Sequence, residues 1–332
     1  MHKRPDGVKV PERVVPFPGS VSDEARAELA KLVGPNGTPY NAGHTLPGLA
    51  DHNAWRALQR MIDAQYEAMV EGRVSALRSS VETVKIGHSD VHVATPAVNQ
   101  CPESVYVYMH GGALISGGGT ACRETGRILA DRHNICCYAV DYRLPPDHPF
   151  PAALDDCVTT YQYALQRYSQ VIVGGQSAGG NLAAALVAKA RDAGIPLPAG
   201  LVLLSPEVDL TESGDSFEVN RLVDVRLPSS LMACNLLYAN GADLTHPYLS
   251  PLFADFNGWP PTFLQSGTRD LFLSNAVRMH RRLRQSGVAA ELHIFEAMPH
   301  GGFGLAPEDE ELSAELDRFL KTLYAISEAK RG

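Results

Sequence analysis

The chain of 332 residues is 45% apolar and 20% charged, a composition typical of a folded globular protein and not of a disordered one. Its formal net charge of −8 argues against nucleic acid or an anionic membrane surface as a partner, and no apolar run approaches the roughly 20 residues of a membrane helix. Residues 1–6 are not followed by the apolar stretch of a secretory signal, and the six cysteines lack metal-binding spacing, so we expect a soluble cytoplasmic protein with reduced thiols.

The first 80 residues contain helix signals but no strand signal. Residues 1–20 are rich in proline and charge and predict an extended arm. A short helix is predicted over Ser22–Val33 and a longer one over Asp51–Gly72, where apolar residues recur at helical spacing. Because both precede the first strand, we expect them to lie outside the layers of any sheet.

Eight apolar segments predict the strands of one sheet. The first two are close enough to pair as a hairpin, and the later ones alternate with helices, which predicts a mostly parallel sheet covered on both faces. The strands are expected at Val81–Ile86, Val91–Thr95, Val105–Met109, Ile135–Val140, Val171–Gly174, Leu201–Leu204, Thr262–Ser266 and Ala290–Phe295. The helices are expected at Leu154–Tyr168, from the fifth strand to Asp192, at Leu273–Gln285 and at Glu311–Ile326.

The alternation is interrupted by an insertion between Glu212 and Pro261. It has helical character around Ser229–Tyr238 and several prolines after that point. A segment of this length within a compact α/β domain usually has a function, most often as a lid or cap.

The fifth predicted strand leads into the sequence Gly-x-Ser-x-Gly, in which Ser177 is flanked by Gly175 and Gly179. The order of strand, tight turn and helix is the context of a nucleophile elbow, in which the serine hydroxyl projects from the top of a sheet. The alternative is a glycine-rich turn between a strand and a helix, as in a nucleotide-binding protein. A serine nucleophile also requires a base, an acid and donors for an oxyanion.

His300 is the candidate base, because it follows the last strand and precedes the last helix. Asp270, on the loop after the Thr262–Ser266 strand, is the first candidate for the acid. The alternative role for Asp270 is a charge that stabilises the amino end of a helix. Asp209 is the rival candidate for the acid. Glu207 lies at a strand end near the predicted site, where it could order water or substrate but more readily makes a structural hydrogen bond.

The sequence His110-Gly111-Gly112-Ala113 follows the third strand and has the form of an oxyanion loop. We expect the backbone N–H groups of Gly111, Gly112 and Ala178 to hold the oxyanion, and His110 to orient the loop. The alternative is a turn that is merely rich in glycine.

Three motifs together resemble the hormone-sensitive-lipase-like (family IV) α/β-hydrolases. They are residues 110–113, residues 175–180 and the segment Asp141-Tyr142-Arg143-Leu144-Pro145-Pro146-Asp147-His148-Pro149-Phe150-Pro151-Ala152-Ala153. The chain departs from the family pattern at Gln176, where aspartate is common, at Ala113, which replaces a third glycine, and at Gly301-Gly302-Phe303, which is one residue longer than the common form.

The resemblance implies an α/β-hydrolase fold with an eight-stranded, mostly parallel sheet and a helical cap. The cap would comprise residues 1–80 and 212–261, and the core residues 81–211 and 262–332. It further implies a serine carboxylesterase for small, short-acyl esters, with no cofactor and no metal, and a possible homodimer formed through the Ala290–Phe295 strand. The alternatives are a lactone, amide or carbamate hydrolase with the same residues, and a non-catalytic receptor such as the plant gibberellin receptors, which lack the catalytic histidine.

Overall fold

The structure is a computed structural model that describes residues 7–329, with side chains described as far as Tyr324. Residues 1–6 of the predicted arm and residues 330–332 lie outside the described residues. The strands are β1 Ser80–Ile86, β2 Ser89–Thr95, β3 Ser104–Met109, β4 Cys136–Asp141, β5 Gln170–Gln176, β6 Gly200–Leu204, β7 Thr262–Gly267 and β8 Ala290–Phe295. The helices are α1 Asp23–Lys31, α2 His52–Val74, α3 Gly119–His133, α4 Ala152–Leu165, α5 Ala178–Asp192, α6 Ser216–Val219, α7 Met232–Ala239, α8 Leu273–Gln285 and α9 Pro307–Ala329, with a 3₁₀ turn at Pro251–Phe253. Within the described range, no helix has both the length and the apolar character needed to cross a membrane.

All eight predicted strands join one sheet, in the order β1-β2-β4-β3-β5-β6-β7-β8. β1 and β2 pair antiparallel as the predicted hairpin, and β2 is also antiparallel to β4. The other neighbouring pairs are parallel. The structure therefore confirms the mostly parallel eight-stranded sheet. The loops that follow β3, β5, β6, β7 and β8 consequently lie at one edge of the sheet, which is where ligands bind in open α/β folds.

The sheet is buried on both faces. Along β4, Cys136, Tyr138 and Val140 face one apolar cluster, and Cys137 and Ala139 face the other, as the two-residue period of a strand requires. Helices α4, α5 and α8 cover the first face, and α3 and α9 cover the second. The adjacent Cys136 and Cys137 are thus both buried, and the helices form two layers around the sheet.

Helix α3 is an element that the sequence analysis does not predict. Its buried residues are mostly small, among them Ala121, Cys122 and Ala130, so it lacks a stripe of large apolar side chains. A Cβ at Gly126, inside the helix, would lie 2.8 Å from the Cβ of Ala139 on β4. The helix therefore lies very close to the sheet, and the small residues that allow this approach also weaken the helical pattern.

Helices α2 and α7 pack against each other near the carboxyl edge of the sheet. Trp55 of α2 is fully buried in a cluster with Cys234 and Leu237 of α7. The same cluster contains Ile115, from the loop after β3. The helix before the first strand and the helix of the insertion thus meet beside the loops that carry the candidate site.

Candidate active site

Ser177 lies on the tight turn between β5 and α5. Its backbone angles, φ 58° and ψ −121°, are unfavourable for an L residue. A Cβ at Gly175 would lie 2.4 Å from the carbonyl carbon of Gly179, and a Cβ at Gly179 would lie 2.0 Å from the carbonyl oxygen of Met109. Only glycine fits at either position, so the structure contains the strand, sharp turn and helix that the motif predicts.

A chain of hydrogen bonds joins Ser177, His300 and Asp270. Nε2 of His300 lies 2.9 Å from Oγ of Ser177, and Nδ1 of His300 lies 3.0 Å from Oδ1 of Asp270. The buried Asp270 carboxylate also accepts hydrogen bonds from the N–H of Phe272 and the hydroxyl of Ser266. Because a carboxylate can only accept, Nδ1 of His300 carries a proton, and Nε2 is left to accept the proton of the serine hydroxyl.

Burial and charge act in opposite directions on the acid and the base. Burial alone would lower the pKa of His300, but the carboxylates of Asp270 and Asp224 raise it above its usual value. Burial would likewise raise the pKa of Asp270, but the charge of His300 and the hydrogen bonds to the carboxylate lower it. The acid is therefore ionised, and the imidazole is a stronger base than an ordinary histidine.

The rival acid, Asp209, does not contact His300. Its Oδ2 pairs with Arg278 at 2.7 Å, and its carboxylate accepts hydrogen bonds from the hydroxyls of Thr211 and Ser213. Burial raises the pKa of Asp209, but these donors outweigh burial and lower it. Of the two acids that the sequence offers, the structure places Asp270 at the imidazole.

Gly111, Gly112 and Ala178 belong to the two segments that meet at the serine, which are the loop after β3 and the first turn of α5. A Cβ at Gly111 would lie 3.5 Å from the Cβ of Ser177, which shows how closely this loop approaches the nucleophile. Ala178 is the first residue of α5, so its N–H has no acceptor within the helix. Across the described residues, none of these three N–H groups donates to a backbone or side-chain acceptor. They remain available to a ligand.

His110 and Tyr142 fix the conformation of the glycine loop. The ring of His110 stacks on that of Tyr142 with the centroids 4.0 Å apart, and the Tyr142 hydroxyl donates to the carbonyl of His110 at 2.7 Å. Burial lowers the pKa of His110, so its imidazole is neutral, and its Nδ1 lies 2.8 Å from the carbonyl oxygen of Gly111. His110 therefore orients the loop, as predicted.

Helix α2 also holds this loop, through a residue that the sequence analysis missed. Oδ1 of Asp63 accepts a hydrogen bond from the N–H of Gly117 at 2.7 Å. Gly117 in turn lies so close to Gly111 that a Cβ there would be 2.2 Å from the Gly111 carbonyl oxygen. No local motif marks Asp63, because its partner is 54 positions away in the chain.

The loop that carries His300 is held from two sides, although it is longer than the family pattern. The N–H of Gly301 donates to Oγ of Ser205 at 3.3 Å. A Cβ at Gly301 would lie only 2.5 Å from Nε2 of Gln176. Further along, the carboxylate of Asp309 accepts the N–H of Phe303 at 3.0 Å. The unusual Gln176 therefore packs directly against the histidine loop.

Glu207 is fully buried next to the nucleophile. Its N–H donates to the carbonyl of Ser177 at 3.2 Å, and its own carbonyl accepts the side-chain amide of Asn181 at 2.7 Å. Its carboxyl oxygens have no hydrogen-bond partner among the described residues. Burial raises the pKa of Glu207 to about 8, and the nearby Asn235 opposes only part of this rise. The structural hydrogen bonds expected of this residue are made by its backbone.

Comparison with protein families yields one match across most of this region. A family model described as the alpha/beta hydrolase fold matches residues 106–304, which include most of β3, the elbow, the insertion and the histidine loop. An acetyl-hydrolase of Streptomyces hygroscopicus is 31% identical over 252 residues, which cover 73% of this chain and 82% of the relative. A carboxylesterase of Mycobacterium tuberculosis is 30% identical over 223 residues, which cover 64% of this chain and 70% of the relative.

Solved structures agree over nearly the whole length. The esterase E25 superposes with a TM-score of 0.87 at 35% sequence identity, covering 95% of this chain and 98% of that chain. An esterase from the bacterial hormone-sensitive lipase family superposes with a TM-score of 0.77 at 28% identity, covering 91% and 98% of the two chains. The similarity therefore includes the N-terminal helices and the insertion as well as the sheet.

Proposed function

The chain belongs to the α/β-hydrolase fold family and within it to the hormone-sensitive-lipase-like esterases, so it is a carboxylic ester hydrolase, and we propose that Ser177, His300 and Asp270 are its catalytic triad. The observation that carries the proposal is the continuous hydrogen-bonded chain from Oγ of Ser177 to the buried Asp270 carboxylate. Gly111, Gly112 and Ala178 supply the oxyanion hole. This arrangement favours a catalyst over a non-catalytic receptor, because the imidazole is in position to take the serine proton.

The first half of the reaction forms an acyl-enzyme. Oγ of Ser177 attacks the ester carbonyl carbon while Nε2 of His300 takes the hydroxyl proton. The negative charge moves to the former carbonyl oxygen, where the three N–H groups stabilise it; removal of one such donor typically costs about 10²–10³-fold in kcat. When the tetrahedral intermediate collapses, the C–O bond of the ester breaks, and His300 gives its proton to the leaving alkoxide.

The second half of the reaction repeats these steps with water. His300 takes a proton from water, the hydroxide attacks the acyl carbon, and Ser177 leaves with the proton that His300 returns. Asp270 holds the imidazole in the required tautomer and stabilises the imidazolium in both halves. No metal or cofactor enters the scheme.

The substrates that we propose are small esters with a short acyl group. The N-terminal helices in residues 1–80 and the insertion 212–261 would form a cap over the core residues 81–211 and 262–332. The cluster of Trp55, Ile115 and Cys234 supports this division, because it joins both parts of the cap beside the oxyanion loop. An apolar boundary beside this loop limits the space for an acyl chain, which favours a small acyl group over a long one.

We also propose a homodimer formed through β8. This strand lies at the end of the sheet, and within residues 7–329 it pairs with β7 alone, so its other edge can pair with the same strand of a second copy. Gel filtration together with light scattering tests this part separately, and a monomer at micromolar concentration would exclude it.

The triad is tested by labelling with a fluorophosphonate followed by peptide mapping. We expect a single modified site at Ser177, and loss of both label and turnover of p-nitrophenyl acetate in Ser177→Ala. Ser286→Ala, at the far end of α8, serves as the matched control and should retain both. Label on another serine, or full turnover by Ser177→Ala, would refute the assignment. Lactone and anilide substrates, assayed in parallel, separate an esterase from the other hydrolase activities.

A further inference from the structure

A second buried carboxylate lies behind the proposed triad. Asp224, in the insertion between β6 and β7, is fully buried. Its Oδ1 accepts the N–H groups of Arg226 and Leu227, each at 3.0 Å. Its Oδ2 accepts the N–H of Leu271 at 2.8 Å, and the N–H of His300 lies 3.2 Å from Oδ2 and 3.3 Å from Oδ1. One side chain thus binds its own segment, the residue after Asp270 and the proposed base itself.

These contacts join the two loops that carry the proposed acid and the proposed base. Leu271 adjoins the proposed acid on the loop after β7, and His300 lies on the loop after β8. Besides the bond between Asp270 and His300, the Asp224 carboxylate is a direct link between these loops at the point of reaction. A displacement of about 1 Å at such a point can cost roughly 100-fold in rate.

The charge of Asp224 acts on the same pair. Burial raises the pKa of Asp224, and the like charge of Asp270 raises it further, to about 6, although His300 and the backbone donors act in the opposite sense. A further charged group beside it is Arg226, whose guanidinium donates to the carbonyl of Phe303. Above pH 6 the charges of two carboxylates, Asp270 and Asp224, therefore act on the imidazole.

We propose that Asp224 is a positioning residue of the catalytic centre, which fixes the loops of Asp270 and His300 relative to each other and supplies a second negative charge beside the imidazole. This inference rests on the proposed triad. It also assigns a function to the insertion beyond covering the substrate, because the insertion supplies part of the framework that holds the base.

Asp224→Asn tests the inference, because it preserves the size of the side chain and removes its charge. Loss of a negative charge lowers the pKa of His300, so the acid limb of kcat/KM for p-nitrophenyl acetate should move to lower pH by about one unit. At the pH optimum kcat should fall roughly 10- to 100-fold while KM changes little. Asp224→Glu, which keeps the charge, should retain the acid limb of the wild type.

The matched control is Asp156→Asn, which removes an equally buried carboxylate that binds Arg143 and lies outside the site. It should lower the thermal stability and leave the acid limb unchanged. An acid limb in Asp224→Asn that coincides with the wild type, or a shift of the same size in Asp156→Asn, would overturn the inference. Fluorophosphonate mapping of the wild type is done first, because a label away from Ser177 would refute the triad itself and not the role of Asp224.

If Asp224→Asn does not fold, Asp224→Glu provides the answer. It keeps the charge but lengthens the side chain by one methylene, so the loops of Asp270 and His300 must shift to keep their contacts with the carboxylate. We expect kcat to fall at least tenfold while KM and the acid limb stay close to those of the wild type. A kcat equal to that of the wild type would show that the position of this carboxylate does not fix the two loops, and the inference would be wrong.

Discussion

Gly267, the last residue of β7, provides a direct test of the spacing between the acid and the base. A Cβ at this position would lie 1.9 Å from the carbonyl oxygen of Met298, two residues before His300. An ordinary contact begins near 3.4 Å, so Gly267→Ala must push the two backbones apart by about 1.5 Å. Both atoms belong to the framework of the loops, so no side-chain rotation can relieve the contact.

The expected loss of activity follows from this displacement. The bond between His300 and Asp270 is 3.0 Å long, and an added 1.5 Å would break it. A 1 Å displacement costs roughly 100-fold, and complete loss of the correct tautomer costs about 10⁴-fold. We therefore expect kcat for p-nitrophenyl acetate, per folded chain, to fall between 100- and 10,000-fold in Gly267→Ala.

Gly200→Ala is the control for overpacking alone. Its Cβ would lie 2.4 Å from Cδ1 of Leu323, at the amino end of β6 and away from the site. Both variants should lose about 1–3 kcal/mol of stability, measured by chemical unfolding. Only Gly267→Ala should lose kcat. A kcat within tenfold of that of Gly200→Ala would show that the spacing of these loops does not control the chemistry.

Three further predictions concern titratable groups. Asp270→Asn should lower kcat by about 10⁴-fold, and Asp209→Asn should leave it within a few-fold; equal losses in steady-state assays would contradict the choice of acid. Because the pKa of His300 is raised and the base must be neutral, kcat/KM should fall with decreasing pH at a midpoint above 6.5, and a lower midpoint in the pH profile would contradict this. Glu207 binds its proton more tightly in the folded protein than in the unfolded chain, because its pKa is raised from 4.5 to about 8. The free energy of unfolding should therefore decrease between pH 4.5 and 8, by up to about 1.4 kcal/mol per pH unit. Urea unfolding curves measure this dependence, and Glu207→Gln should remove it.

The sequence predicts the sheet well because its strands are buried on both faces. A strand such as β3 or β5 is then a short, continuous apolar run, which differs from the surrounding polar and glycine-rich loops. Helix α3 has no comparable signal. It meets the sheet through small residues and contains Gly126. A glycine is needed there because the helix passes so close to Ala139, and that approach is visible only in the folded protein.

The candidate site divides in the same way. Ser177, His300 and Asp270 can be found from the sequence because each follows a predicted strand, and the carboxyl ends of parallel strands share one edge. Asp63 and Asp224 cannot, because their partners lie far away in the chain and no short motif surrounds them. Their function depends on which backbone N–H each one accepts, which is a property of the folded chain alone.

The two acids that the sequence does not predict, Asp63 and Asp224, are needed for the same physical reason. A loop at the end of a strand is held by the sheet on one side. The residues that must contact a substrate lie on the opposite, free side of the loop, where the strands and helices of the core make no contact with it. In this protein the free side of the oxyanion loop is bound by Asp63 of α2, and the free sides of the His300 and Asp270 loops by Asp224 of the insertion. Since an isolated carboxylate is costly to bury, the fully buried Asp224 in particular requires its backbone donors in place. The segments that would cap the substrate and the geometry of the catalytic loops are therefore expected to be stable only together.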